Sequence, residues 1–403
     1  MYDFAIVGGG IVGLSTGYAL TKRYPGAKIT IIEKEKKLAH HQTGHNSGVI
    51  HSGIYYNPGS YKARFARQGS TSMVEFCEEH GIQYEVCGKV IVATQPKELP
   101  LLDNLYDRGL QNRLDVKKIT PEELREIEPH VKGEGAIRVP STGIADYKGV
   151  SHTFARIIEE GGGDLRLGTK VENISEEKEG VTLETDQGTI KTKFLINCSG
   201  LHSDRIAKLS GLNTGMKIVP FRGEYYELIP EKRYLVKHLI YPVPNPDFPF
   251  LGVHFTRMVN GEVHAGPNAV LAFKREGYTK TDINVKDLME VLTFPGFWKM
   301  AMANMKEGMK EYVRSFSKTA FLRSLQQLIP ELTEKDIVPT HAGVRAQALM
   351  HDGRMVDDFA IFSGEKSLHI CNAPSPAATA SLEIGKEIVE HFATRFQLKD
   401  KLA

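Results

Sequence analysis

The sequence is short of several things, and each shortage excludes a class of protein. It has four cysteines in 403 residues, Cys77, Cys87, Cys198 and Cys371, with no C-x-x-C pair. That excludes a disulfide framework and a zinc module, and it fits free thiols in a reducing compartment. Charge of one sign is also missing: 51 basic residues face 49 acidic ones, a formal net charge of +2. A nucleic-acid binder needs a clear basic excess. No apolar run approaches the roughly 20 residues that span a bilayer. There is no internal repeat and no low-complexity tract. Met1 and Tyr2 lead straight into the apolar run Phe4 to Val7, so no leader peptide is expected and the expected setting is cytoplasmic.

What is present is ordinary globular composition, 41% hydrophobic and 25% charged. Bulk disorder, a collagen-like repeat and a coiled-coil rod are thereby excluded. At about 150 residues per domain, the length suits two to three domains.

The opening reads strand, glycine turn, helix, strand. Phe4 to Val7 is a short continuous apolar run of the kind a fully buried parallel strand needs. Gly8-Gly9-Gly10 follows it, a helix runs through Leu14 and Leu20, Pro25-Gly26 ends that helix, and Ile29 to Ile32 is the next buried strand. Residues 86–93 read as a strand, and Thr120-Pro121-Glu122-Glu123 as a helix start with a capping box. Val171, Val181, Leu183 and Ile190 mark short strands, and Phe194 to Asn197 is another buried run. Residues 217–265 are mostly strands, and from 285 the pattern turns helical, with Val285, Leu288, Met289 and Leu292 on one face. Leu368 to Cys371 is a last strand, followed by a helix from about Ala377 to Phe392. The expected fold class is therefore α/β: a Rossmann-type nucleotide domain built from discontinuous segments (1–85, 145–215 and 330–403) with a second, sheet-rich α+β substrate domain (86–144 and 216–329).

Gly8, Gly10 and Gly13 form G-x-G-x-x-G between a strand and a helix, and Glu33 ends the second strand. Gly8 allows the tight turn, Gly10 lets the backbone approach a pyrophosphate, and Gly13 lets helix and strand pack closely. The helix N-terminus faces the phosphates, and Glu33 would accept hydrogen bonds from ribose hydroxyls. This fingerprint alone does not separate NAD from FAD.

Three further small-residue clusters favour FAD. The first is Thr43-Gly44-His45-Asn46-Ser47-Gly48. The second is Asn197-Cys198-Ser199-Gly200. The third is the late junction Asn372-Ala373-Pro374-Ser375-Pro376-Ala377-Ala378-Thr379-Ala380, which can aim a helix N-terminus at the electron-rich side of a reduced flavin. On these residues the chain resembles the D-amino-acid-oxidase-like superfamily of FAD oxidoreductases, in which a returning C-terminal segment completes the flavin site. Val171, after Gly168, matches the position where that superfamily holds the adenosine half. The cofactor set implied is Gly8, Gly10, Gly13, Glu33, Thr43, His45, Asn46, Ser47, Val171, Ser199, Gly200, Pro374, Ser375, Ala377 and Ala378.

The resemblance narrows on the blocks Thr43 to Tyr56, Leu251 to Arg257, Gly266 to Phe273 and Ala342 to Gln347. These are similar to the L-2-hydroxyglutarate dehydrogenase (oxidase) family, over almost the whole chain. The resemblance implies oxidation of a dicarboxylate, L-2-hydroxyglutarate, to 2-oxoglutarate, with electrons passed to membrane quinone or oxygen.

Such a reaction needs a base for the hydroxyl proton and cations for the carboxylates. His51 and His254 are the candidate bases, His51 slightly ahead for its link to the flavin loop. Arg345 is the expected carboxylate anchor, where the superfamily often holds one. Arg257 is a second candidate, although three residues from His254 on a strand would put the two on opposite faces. Arg222 and Lys274-Arg275 are weaker candidates, and Tyr55, Tyr241 and Asn268 are possible pocket walls. His40 and His41 have no carboxylate at ligand spacing, so no metal is expected.

Residues 294–321 hold the only tryptophan, Trp298, four methionines and several lysines. Met305, Met309, Tyr312, Val313 and Phe316 share one helical face. Two readings stand side by side: a basic helix lying on a membrane surface, at the inner face of the cell membrane, and a helix packed on the substrate domain. The competing functions are an FAD amine oxidase of the glycine or sarcosine type, an NAD dehydrogenase, and a flavin-binding sensor or assembly factor.

Overall fold

The computed structural model describes residues 1–246 and 251–398; residues 247–250, within the expected 216–329 segment, and 399–403, at the end of the expected 330–403 segment, lie outside the described residues. The apolar run at the N-terminus becomes strand β1 (Tyr2–Val7), the glycine turn leads into helix α1 (Ile11–Arg23), and β2 (Ile29–Ile32) returns parallel to β1. On its other side β1 pairs, again in parallel, with the Gly188–Asn197 strand. Asp164–Arg166 extends the sheet beyond β2, and Ser367–Asn372 adds in parallel beside residues 195–197. Segments from the start, middle and end of the chain thus form one eight-stranded sheet. Phe4, Ile6, Ile31 and Ile196 are fully buried on the face covered by α1 and the Tyr147–Glu160 and Ser381–Phe396 helices, while Ala5, Val7 and Leu195 on the other face pack against Val171, Ile174, Val181 and Leu183. The α/β architecture from discontinuous segments is as expected.

A second, nine-stranded sheet carries Lys89–Ala93, Gly135–Val139, Met216–Leu228, Leu239–Pro242 and His254–Arg257 among its strands. The expected strand at 86–93 starts only at Lys89, because Gly88 takes a left-handed φ of +79°. The strand Ile337–Met350 was expected to belong with the nucleotide segments. Instead it runs antiparallel along nearly the whole of Met216–Leu228, in the nine-stranded sheet. One face of this sheet buries Val90, Val92, Ile240 and Phe255 against Phe321 and Leu325. The other presents Ile91, Ala93, Leu239 and Tyr241 toward Ile54, Leu102 and Leu105. The expected capping box at Thr120 is formed, with Glu123 N–H donating to Thr120 Oγ1 at 3.3 Å and Thr120 N–H to Glu123 Oε2 at 2.9 Å.

Arg275, 1% exposed, reaches from the substrate side to the turn and short helix, Ser203–Leu209, that follow the Gly188–Asn197 strand. Its guanidinium donates to both carboxylate oxygens of Asp204, at 2.6 and 2.8 Å, and to Leu201 O at 2.7 Å. Burial opposes ionisation of Asp204, but the guanidinium outweighs it and holds the carboxyl below its usual range. Arg275 is therefore a structural tie and not a substrate ligand. Arg275→Met leaves Asp204 buried without its partner, and chemical denaturation of the holoenzyme should show a loss of about 3–5 kcal/mol.

The Met305–Phe316 helix is turned inside out relative to a core helix. Met305, Met309, Val313 and Phe316 are 67, 62, 55 and 77% exposed, while Glu311 and Ser315 are buried. Glu311 explains the inversion, since its carboxylate accepts the Ala269 N–H at 2.9 Å and pairs with Arg314. Trp298, on the preceding helix, is half exposed with its indole N–H bonded to Leu292 O at 2.7 Å. The expected apolar face of the Val285–Leu292 helix is outward in the same way, at Val285 and Met289.

Candidate active site

The glycine turn is built by contacts that tolerate no side chain. Gly8 sits at φ +111°, and a Cβ there would lie 2.5 Å from Cys198 O. A Cβ on Gly13 would lie 2.0 Å from Gly8 O, so α1 and β1 approach at this point only through glycine. Gly10 differs. Its φ of −77° suits any residue, and a Cβ would meet only Thr43 Oγ1, at 3.5 Å. The protein itself does not require glycine at position 10, so the free space there is a cradle for something that is not protein.

Other expected cofactor residues surround that cradle. Thr43 Oγ1 accepts the Ile11 N–H at 3.0 Å, supplying the cap that Gly10 cannot. Glu33 accepts the N–H of Gly9 at 2.8 Å and of Glu35 at 2.9 Å. Thr169 N–H donates to Glu33 O, which brings the strand beginning at Val171 alongside. A Cβ on Gly200 would lie 2.9 Å from Gln42 Oε1, so the Ser199-Gly200 turn abuts the same loop. Ser199 Oγ itself donates to Asn197 Oδ1 at 2.6 Å.

The 43–51 segment continues from this cradle to the late junction. Asn46 spends its amide within the loop, donating to Thr43 O at 2.7 Å and accepting the Gly48 N–H at 2.8 Å. His45 stacks on Tyr278, and its carbonyl lies against Gly343. The His51 N–H donates to Thr379 Oγ1 at 3.0 Å, and Thr379 Oγ1 in turn donates to Val49 O at 3.0 Å. Tyr56 hydrogen-bonds Ser375. Pro374, Ala377 and Ala378 are half-buried beside it, and the last helix begins at Ser381, later than the expected Ala377. One loop thus joins the glycine turn to the 372–380 junction.

Beyond His51, side chains from both parts of the chain converge. His254, 5% exposed, stacks on Tyr241 with ring centroids 3.9 Å apart. Its Nδ1 lies 2.8 Å from Gly252 O. A carbonyl only accepts, so Nδ1 carries the proton and Nε2 keeps its lone pair. Burial, with Lys89 and His254 adding to it, lowers His51 to about 3. Burial also lowers His254 to about 3, against the Gly252 hydrogen bond and with help from Arg345 and Lys89. Both imidazoles are neutral at pH 7. Lys89, absent from the sequence expectations, is 1% exposed, and burial lowers it to about 7. Arg345 belongs to the same cluster; burial pushes it down while Tyr225, Glu311 and Tyr241 hold it up.

Several expected residues are engaged elsewhere. Arg257 pairs with Glu85 at 2.9 and 3.2 Å and donates to Lys237 O, on the opposite face of its strand from His254, as the offset of three requires. Arg222 is held by Glu224 and Thr279 O, and Asn268 by Glu224. The fold does bring a carboxylate, Glu35, beside His40 and His41. However, Lys34 Nζ sits 2.6 Å from Glu35 and 3.0 Å from His41 Nε2, so an ammonium already provides positive charge there. An open groove of about 480 Å³ between α1 and the Ser381–Phe396 helix, lined by Tyr18, Lys22, Arg23, Lys386 and Glu390, offers no imidazole.

Comparison with known proteins decides between the readings of this site. The profile of the FAD dependent oxidoreductase (DAO) family matches residues 3–391. The L-2-hydroxyglutarate dehydrogenase of Indibacter alkaliphilus is 50% identical over 397 residues, 98% of this chain and 100% of that protein. That of Escherichia coli K12 is 46% identical over 395 residues, 98% of this chain and 94% of that protein. The chain belongs to the L-2-hydroxyglutarate dehydrogenase family. Its fold is also that of the dithionite-reduced, FAD-bound L-α-glycerophosphate oxidase from Mycoplasma pneumoniae, with a TM-score of 0.80 at 22% identity over 97% of this chain and 94% of that one. An L-2-hydroxyglutarate dehydrogenase of this type is an FAD-dependent oxidoreductase acting on a CH–OH donor. The NAD, amine-oxidase and non-enzyme readings are thereby set aside. The Gly10 cradle and the loop linking it to the 372–380 junction fit FAD.

Proposed function

We propose that the enzyme oxidises L-2-hydroxyglutarate to 2-oxoglutarate. The observation that carries this reading is the grouping of Arg345 with a neutral His254 whose Nε2 is free to accept a proton. Held by the glycine turn, Thr43 and the 372–380 junction, FAD would supply the hydride acceptor. The chain supplies the rest. Arg345 holds the α-carboxylate in a two-pronged, charge-assisted grip, which fixes the direction of the α-hydrogen. His254 Nε2 accepts the hydroxyl proton, so the carbinol becomes a ketone as hydride and proton leave in different directions. An imidazole near 3 is a weak base in the free site, but bringing a dianion beside it raises its basicity when the reaction needs it. We assign the base to His254 over His51 because the Gly252 carbonyl fixes its tautomer.

Anaerobic addition of L-2-hydroxyglutarate should bleach the flavin, whereas the D form and glycine should not. Bleaching by glycine alone would overturn the reading.

The electron acceptor in this proposal is membrane quinone, with oxygen as the alternative. The outward apolar face of Met305–Phe316, flanked by Lys306 and Lys310, supports contact with an anionic membrane. Among the described residues no helix is long and apolar enough to cross a membrane, so the contact proposed is peripheral. The holoenzyme should co-float with phosphatidylglycerol vesicles, and Met309→Glu/Phe316→Glu should cut the bound fraction several-fold with dehydrogenase activity intact. Equal flotation of both proteins would remove this surface from the proposal.

A further inference from the structure

The Lys89–Ala93 strand is buried at every position, and Lys89 is the one residue of it that carries charge. It pairs laterally with Leu239 and Val139, so its side chain shares a sheet face with Ile91, Leu239 and Tyr241. Its ammonium lies 4.5 Å from the Tyr55 ring centroid and 4.9 Å from that of Tyr241. Among the described residues no carboxylate acts on it; burial alone sets its state. An ammonium taken out of water without an anion is strongly disfavoured, and aromatic faces offset only part of the penalty. Nothing in the packing of this sheet requires a lysine, because a leucine or methionine would fill the same apolar surroundings.

The ammonium is directed at the reaction site. Both His51 and His254 feel its charge. The hydroxyl of Tyr55, whose ring the ammonium overlies, is buried with no hydrogen-bond partner among the described residues. An ammonium with no carboxylate partner, stacked on a tyrosine whose hydroxyl is unsatisfied, therefore acts on both imidazoles, while Arg345 acts on His254 as a second cation. Arg345 satisfies one carboxylate. A substrate with only one would leave Lys89 buried and unpaired.

We infer that Lys89, with the Tyr55 hydroxyl as a second donor, binds the distal carboxylate of the substrate and so selects 2-hydroxy diacids over 2-hydroxy monoacids. This rests on the proposed oxidation of L-2-hydroxyglutarate. A distal clamp binds ground state and transition state alike, so it acts on KM more than on kcat.

The test compares L-2-hydroxyglutarate with L-2-hydroxypentanoate, which has the same chain length and no distal carboxylate. In the Lys89→Met holoenzyme, with flavin content confirmed by absorbance, KM for the diacid should rise about a hundredfold at nearly constant kcat. Turnover of the monoacid should be the same as the parent's or better. A parallel loss on both substrates, or a fall in kcat at constant KM, would overturn the assignment. If the variant does not fold, the parent enzyme gives the answer through pH. Around Lys89, His51 and His254 stay neutral near pH 7, Arg345 stays charged, and burial raises Tyr55, Tyr56 and Tyr241. Lys89 is then the group that titrates near 7, losing its charge as pH rises. KM for the diacid should climb above that pH while KM for the monoacid follows a separate, flatter course; coincident profiles would count against the clamp. An enzyme that turns over neither L-2-hydroxyglutarate nor its flavin colour refutes the oxidation reading, whereas one that oxidises it with Lys89→Met kinetics unchanged refutes the clamp alone.

Discussion

Gly10→Val should purify as a folded but colourless protein with no measurable dehydrogenase activity. The two glycines flanking this position fail for a different reason, which makes the expectation specific. A side chain at Gly8 or Gly13 collides with the chain itself, at Cys198 O or Gly8 O, so those variants should lose the packing of α1 on β1. At position 10 the backbone is extended, at φ −77° and ψ 175°, and a Cβ finds Thr43 Oγ1 at an ordinary 3.5 Å. Exchanging an N-cap glycine for valine costs the free fold about 1 kcal/mol. The same methyl groups occupy the cradle where a pyrophosphate must approach the helix N-terminus. Flavin absorbance per polypeptide and a thermal melt of the apoprotein measure the two effects separately. A yellow, stoichiometrically loaded Gly10→Val would remove the cofactor assignment at this turn, and a protein that fails to melt cooperatively would show that the space at position 10 is structural after all.

The parts of this site that depend on local chemistry were legible in the sequence. The glycine spacing, the acid at Glu33 and the small-residue loop from Thr43 each follow from what a short stretch of backbone must do. What was not legible depends on strands meeting across the fold. Lys89 opens an apolar run, where a lysine ordinarily reads as a solvated strand end; only its pairing with Leu239 and Val139 turns it inward. The Ile337–Met350 strand was hidden because its two faces are covered by different neighbours, leaving no clean alternation. The Tyr61–Glu79 helix is not among the elements the sequence predicts, although Ser60 caps it through Ala63 N–H at 3.2 Å and Gly69 lets it close on Ala380. The sequence did predict that His254 and Arg257 would diverge, from the two-residue period of a strand. It placed His51 ahead of His254 because proximity to the flavin loop is visible in sequence, whereas the tautomer-fixing carbonyl of Gly252 becomes visible only in the fold. The periodicity of Met305–Phe316 predicts its apolar face but not which side meets the protein; buried Glu311 settles that.

Arg345→Ala should lower kcat/KM for L-2-hydroxyglutarate by about three orders of magnitude, the equivalent of roughly 4 kcal/mol. Two charge-assisted hydrogen bonds in a desolvated site are lost, and the α-carboxylate is left to find another partner. Flavin content should stay intact, since the hydrogen bonds that Glu33 and Thr43 accept at the glycine turn come from Gly9, Ile11 and Glu35. The pattern across substrates separates Arg345 from Lys89. Every 2-hydroxy acid has the α-carboxylate, so the loss should fall on monoacids and diacids alike. It should also reach kcat, because the angle at which the α-hydrogen is presented depends on that grip, and misalignment raises the barrier itself. Arg345→Lys should recover only part of the rate: an ammonium restores the charge but not the planar fork that fixes orientation. Free guanidinium added to Arg345→Ala should restore turnover toward the parent value, more than ammonium does at equal concentration. Wild-type kinetics in Arg345→Ala would place the α-carboxylate elsewhere, and Lys89 would then be the first residue to re-examine as its anchor.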